Sequence, residues 1–525
     1  MNKKINNKEL YYLSLLSIFA FAINFYVASN GVYPVDTFIH YDNGYRILLG
    51  DNPIKDYWIV HGLVIDYIQA IFFYIFGNNW NSYLIHSSVF NALITIFSYH
   101  ILKKLKIEYK YVILIAISIS LLAYPVSGSP FLDLHSSFFS LFAFYFAILS
   151  VLKKKNYMWG LASFFLCLAF FSKQVPAAYS IVCLSLLNLF FVFNTRNVKI
   201  FFYYIAGVLV FLFLFFLILN LRGIKIEEVI LQIFLFPQSI GIDRYSTYLL
   251  EFKNTILDYK FIHLPLFAIV IINILFLKRN KLYYKSSNFK IFLIITFFTL
   301  SSIFHQIYTK NQIYIFFLIP ILTGLLIHFV NLSDLKRKDI ITYIFLILCF
   351  FSTIKYYERF NLDRKFHELA NVNKDNSIKL NLFNNKFKNL NWISPYFENP
   401  NEEIENIRIL YEILKKDKTN KMLISEYNFF SSLLEEKLHS PSRTYDSISF
   451  PKKNTKYFIK YKTFFLEKIL SNKIKNIYIF EPKIIDKNRI NHLIFDYISE
   501  DCFEIDNINL LIKRLKIKKC KDLRS

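Results

Sequence analysis

Apolar runs on the order of 20 residues, each close to the length needed to cross a hydrocarbon core, recur from Leu10 to Ile354. Short turns rich in Lys and Arg separate them. Runs of this kind have to lie in lipid as helices, because only a helix or a closed barrel satisfies its own backbone there. They fall at residues 10–29, 81–102, 111–124, 137–152, 157–171, 175–193, 201–221, 261–277, 289–304, 313–330 and 340–354, about eleven spans. The composition agrees, with 55% of 525 residues hydrophobic and 19% aromatic. The first run is too long, and too weakly marked by small cleavage-site residues, for a removable signal peptide and is read as a span.

Charge orients the spans. Lys3, Lys4 and Lys8 place the N-terminus in the cytoplasm, and every second turn afterwards is basic. The alternation puts residues 355–525 on the extracytoplasmic side. The fold class expected is an α-helical polytopic membrane domain, residues 1–354, followed by an extracytoplasmic α/β domain, residues 355–525. In that tail a helix is expected from Glu402 to Lys416 after an Asn-Pro-Asn cap, and another from Tyr457 to Leu470. Strands are expected at Lys421–Ser425 and Asn476–Phe480. The formal net charge of +24 would suit nucleic acid, but the cations sit in turns and in a Lys/Asn-rich tail without a nucleic-acid motif, so nucleic acid is excluded as a partner. Cys167, Cys183 and Cys349 lie in apolar runs and read as small hydrophobes. Cys502 and Cys520 read either as a disulfide or as two buried thiols.

The polar side chains divide by position. Between the first two spans, the segment 32–77 holds Asp36, Asp42, Asp51, Asp56 and His61, then an apolar stretch from Leu63 to Phe76 that carries Asp66 and Gln69. This stretch is short for a span and is expected to lie along the membrane face. Asp133 and His135 occupy the next outer turn, and the cations Lys173, Arg244 and Lys310 fall in later ones. Carboxylates at one pole suit a general base, and cations at the other suit an anionic leaving group. Each residue has a plainer reading as well. Asp36 suits a helix cap, and Asp56 and Asp133 suit caps or turns. Lys173 suits a lysine snorkelling to headgroups, and Arg244 a partner for Asp243. His61, His135 and His305 suit interfacial histidines, since their spacing matches no metal pattern. The stretch Ser440 to Asp446 reads as a solvated loop.

The first loop resembles that of the GT-C glycosyltransferases, the superfamily of protein O-mannosyltransferases and the lipid A aminoarabinose transferase. The resemblance rests on Asp36 shortly after the first span, on Gly50-Asp51-Asn52-Pro53-Ile54-Lys55-Asp56, and on a surface helix closing at Phe76-Gly77. Asp133-Leu134-His135, Phe171 to Gln174 and Tyr314 to Pro320 are weaker matches. Where many relatives carry a second acidic residue beside the first, Thr37 stands here.

The resemblance implies an inverting transfer of sugar from a polyprenyl-phosphate donor to a glycan, lipid or protein acceptor at the outer face of the cytoplasmic membrane. Asp36 would be the base. Asp56, His61, Asp133 and His135 would position the acceptor, and Lys173, Arg244 and Lys310 would hold the donor phosphate. A divalent-cation requirement stays open. The rival readings are a transporter or flippase of lipid-linked sugars, a polysaccharide polymerase or ligase, and a non-catalytic envelope scaffold. A transporter would place ionisable groups in mid-membrane, whereas these spans carry them at their ends.

Overall fold

A computed structural model describes residues 7–246, 250–309, 314–446 and 448–520. The chain is a multi-pass membrane protein. Among the described residues nine helices are long and apolar enough to cross a membrane, from Asn7–Ala28 to Lys338–His367. Two of the expected spans, 157–171 and 313–330, form the shorter apolar helices Met158–Ser172 and Leu318–Leu332, each of 15 residues. The first stops where Lys173 turns to extended backbone (φ −154°, ψ 129°). The stretch expected along the membrane face is the helix Val64–Phe76, which ends at Gly77 with φ +85°. A positive φ suits glycine at a helix C-terminus.

The fold divides into two compact units. The first comprises residues 1–28, 84–217 and 247–366, and the second 29–83, 218–246 and 367–525. Within the first, the helix Leu132–Lys153 is the most enclosed, with 89% of its apolar window buried, against 28% for Lys199–Arg222. The former is thus the core helix, and the latter turns Phe202, Leu209 and Phe213 outward.

One helix contact depends on glycine. A Cβ at Gly207 would collide with the Gly160 carbonyl oxygen, so the helices Met158–Ser172 and Lys199–Arg222 meet backbone to backbone. Ser163 Oγ donates to the Tyr204 carbonyl at 2.6 Å across the same seam. Gly207→Ala is expected to push the two helices apart and destabilise the protein by about 1–3 kcal/mol, measured as a fall in the detergent melting temperature.

The second unit is built on a four-stranded sheet. A small antiparallel pair, β1 (Ile378–Lys379) and β2 (Asn391–Trp392), stands apart from it. The sheet itself has the order β3 (Lys421–Ser425), β4 (Asn476–Phe480), β6 (Ile512–Ile517), β5 (Phe503–Asn507). β3 and β4 run parallel, while β6 is antiparallel to both of its neighbours. Met422, Ile424, Ile477, Ile479 and Leu515 pack with Tyr461, Phe465 and Ile469 of the helix Phe458–Ser471. Trp58, from the first loop, belongs to the same apolar cluster. The helix Pro400–Lys416 buries Ile404, Ile407, Leu410 and Leu414 along one face, and Asn399 caps it by accepting the Asn401 N–H.

Cys502 and Cys520 form a disulfide with a Cα–Cα distance of 5.2 Å. It ties the start of β5 to the chain beyond β6. Closing a loop with a sequence separation of 18 contributes about 3 kcal/mol. Reduction, or Cys502→Ser, is expected to lower the unfolding temperature of this unit while leaving the spans intact, read by denaturant unfolding with and without reductant.

Candidate active site

Asp36 lies in the one-turn helix Pro34–Thr37, with proline near its start. The N-cap residue is Tyr33 and Asp36 sits inside the turn, so the carboxylate does not serve as its cap. Thr37 braces the turn: its Oγ1 accepts the Tyr33 N–H at 3.0 Å, and Tyr83 OH donates to its carbonyl at 2.6 Å. Asp36 is half-buried. The ring of Tyr33 lies 5.6 Å from that of Tyr396, whose hydroxyl donates to Glu426 Oε2 at 3.1 Å. Burial pushes the Tyr33 phenol up, and the Glu368 and Asp36 carboxylates push it further, so it stays protonated at neutral pH. This is a half-open surface of aromatic and carboxylate groups on a rigid turn.

The same unit holds a buried polar core. The helix Ile39–Leu48 packs on Val64–Phe76 at Gly44, where a Cβ would come within 2.6 Å of Gln69 Cγ. The approach brings His40 Nδ1 to 2.6 Å from Asp66 Oδ1. Arg443 Nη2 donates to Asp66 Oδ2, and also to the Gly62 carbonyl at 3.1 Å. Burial alone would raise the Asp66 carboxyl, but Arg443 and His40 hold it below the usual carboxylate range. Burial lowers His40 despite its contact with Asp66. The pair is therefore a carboxylate accepting from a neutral imidazole that carries its proton on Nδ1.

Arg443 reaches this position because its N–H donates to the Trp58 carbonyl at 3.0 Å and the Trp58 N–H donates to the Pro441 carbonyl at 2.9 Å. The stretch read as a solvated loop is thus mostly buried, with Ser442 1% and Tyr445 1% exposed.

The remaining polar groups of the first loop are tied to the same unit. Arg46 Nε donates to Asp51 Oδ2 at 3.1 Å, and its guanidinium lies 4.0 Å from the Tyr57 ring centroid. Lys437 Nζ sits 2.9 Å from Asp51 Oδ1. Against the cost of burial, Arg46 and Lys437 hold Asp51 below the ordinary carboxylate range. Asp56 closes its own turn, accepting the Asn52 N–H at 2.8 Å, and pairs with Lys468 at 3.2 Å. His61 is half-buried ahead of the surface helix.

The other site residues belong to the first unit. Asp133, in the first turn of Leu132–Lys153, receives Lys173 Nζ at 2.5 Å on Oδ2 and Tyr314 OH at 3.0 Å on Oδ1. Tyr314 OH also lies 3.0 Å from His305 Nδ1. Lys173 is therefore held by a carboxylate at the end of its helix. His135 faces inward, with Nε2 at 3.0 Å from His86 Nε2 and Nδ1 at 2.5 Å from Tyr124 OH. Arg244 falls in the helix Phe236–Ser246, and its side chain lies outside the described residues, as does the whole of Lys310. Among the described residues no three His, Cys, Asp or Glu side chains gather as a metal site.

Asp66, Arg443 and Tyr314 were missing from the sequence-derived site. Asp66 had a local signal, as a carboxylate in an otherwise apolar helix. Arg443 had none, because its partner lies 377 residues away.

Residues 60–219 match the sequence model of the dolichyl-phosphate-mannose-protein mannosyltransferase family. His61, Asp133, His135 and Lys173 fall within that stretch, while Asp36 and Asp56 precede it. No curated protein matches the chain in sequence. The crystal structure of ArnT from Cupriavidus metallidurans bound to undecaprenyl phosphate is similar at 8% identity and a TM-score of 0.47, covering 96% of this chain and 97% of that one. At that score the likeness carries no argument. The family match thus covers residues 60–219 of a many-helix membrane fold, and it is the sequence likeness on which a functional reading can build.

Proposed function

We propose that the protein moves a sugar from a polyprenyl-phosphate donor to a hydroxyl of an envelope glycan, lipid or protein, at the outer face of the cytoplasmic membrane and with inversion. The observation that carries this reading is the match of residues 60–219 to a family named for a dolichyl-phosphate-linked mannose donor. In the proposed step Asp36 takes the proton of the acceptor hydroxyl as its oxygen attacks the anomeric carbon. The bond from that carbon to the phosphate oxygen breaks, and the phosphate leaves with the electron pair. Lys173, Arg244 and Lys310 are assigned to the phosphate, which gains most from cations held in place beforehand. Asp133 and Tyr314 would do this for Lys173. Asp56, His61 and His135 are assigned to acceptor positioning.

An apolar cleft of about 190 Å³ between the helices Tyr109–Leu122 and Lys338–Tyr357, lined by Leu114, Leu121, Leu346 and Phe350, offers room for part of an isoprenoid tail. The Cys502–Cys520 disulfide suits a tail in an oxidising compartment.

Donor class is the direct test. Protein reconstituted in nanodiscs is expected to turn over a sugar carried on polyprenyl phosphate and to leave the corresponding sugar nucleotide untouched. Equal use of the nucleotide would refute the proposal.

A further inference from the structure

We propose that the helical unit carries, at its lysine-rich end, a binding site for the headgroup of an anionic phospholipid. A cavity of about 320 Å³ opens there, lined among others by Lys154, Lys290, Asn156, Asn197 and Ser287. Its volume lies in the range of small-ligand sites.

The two lysines arrive from different helices. Lys154 is the C-cap of Leu132–Lys153, and Lys290 stands in the first turn of Ser287–Thr309. No carboxylate lines the cavity, and neither lysine forms an ion pair among the described residues. Two ammonium groups at one cavity, with no carboxylate between them, call for an anion. Asn197 Nδ2 donates to Asn156 Oδ1 at 3.2 Å, which fixes both amides beside the lysines. Lys290 Nζ lies 5.8 Å from the Phe191 ring centroid, so one side of the cavity is aromatic.

A lipid source for the anion follows from what lies next to the cavity. Ile200 is part of its lining, and the same helix then presents Phe202 and Leu209, 66% and 60% exposed, as an apolar surface. A phosphate held by Lys154 and Lys290 would leave its acyl chains against that surface. Basic pockets between membrane helices bind anionic headgroups in this way.

The test uses the full-length protein in nanodiscs containing phosphatidylglycerol and phosphatidylcholine, with lipid retention read by native mass spectrometry. Wild type is expected to retain phosphatidylglycerol in preference, and the double variant Lys154→Gln, Lys290→Gln to lose about 30-fold in that affinity. Lys103→Gln, Lys104→Gln, at a different basic turn, is expected to retain it. The pair Lys154→Arg, Lys290→Arg keeps both charges and should retain it too. Equal weakening by the Lys103 and Lys104 changes would reduce the effect to general surface charge and overturn the site. Loss in the Arg pair would show a packing defect, and binding of free glycerol 3-phosphate as tight as that of the lipid would mark a soluble-phosphate site; either would overturn the proposal.

Discussion

Asp36→Asn is expected to lower sugar transfer by about 100-fold to 10,000-fold while leaving the protein folded, because it removes the proposed proton acceptor. The amide is close in size to the carboxylate. The turn that carries it is held by Thr37 Oγ1 on the Tyr33 N–H and by Tyr83 on the Thr37 carbonyl, neither of which involves the Asp36 side chain. Transfer of radiolabelled sugar in membranes, beside a melting curve of the purified variant, separates the two effects. A variant that transfers at the wild-type rate removes Asp36 from the mechanism. One that fails to fold points to a structural carboxylate, and Asp36→Glu then serves as the second test, expected to fold and to recover part of the rate.

Arg443→Ala carries the largest expected loss of stability. It would leave Asp66, 0% exposed, as an uncompensated buried carboxylate with only His40 and its own surroundings to accommodate it. Breaking a buried pair from one side costs about 3–5 kcal/mol, whereas replacing both partners by groups of similar shape is often close to neutral. Arg443→Met with Asp66→Asn is therefore expected to recover much of what Arg443→Ala loses.

The pH dependence has a definite sign. The native Asp66 carboxyl is held below its unfolded value, so its stabilising contribution is complete above roughly pH 4 and fades as the pH falls through the lower native value. The gap in stability between wild type and Arg443→Ala should narrow in acid and persist at neutral pH. Denaturant melts at two pH values measure it, and a gap independent of pH would exclude Asp66 as the group responsible.

Patterns of period and punctuation made much of this fold legible. The basic turns and apolar runs marked the helices, and the surface helix expected from Leu63 to Phe76 is found at Val64–Phe76. Lys421–Ser425 and Asn476–Phe480 are strands with the expected limits. Such signals are local, since a strand between turn residues or a capped amphipathic helix can be recognised within a dozen or so neighbours.

Partnership is not local, and no short pattern encodes it. β5 and β6, FEIDN and IKRLKI, are short and rich in charged residues, and they are strands because each pairs with the other and β6 with Asn476–Phe480. The segment around Arg443 has the composition of a solvated loop, yet Trp58 gives it a backbone ladder and Asp66 gives it a charge to meet. The Asp133–Lys173 pair joins two residues assigned to separate tasks on sequence grounds, one to the acceptor and the other to the phosphate. Lysine spacing alone does not reveal which carboxylate will hold it.

The decisive event is the breaking of one bond, that between the sugar's anomeric carbon and the lipid phosphate. With purified protein, a labelled sugar on polyprenyl phosphate and a membrane fraction as acceptor, chromatography of the lipid products would follow it. Free polyprenyl phosphate is expected to accumulate in step with label leaving the lipid. Label that crosses the bilayer still attached to its polyprenyl phosphate would contradict it and make the protein a carrier of lipid-linked sugar.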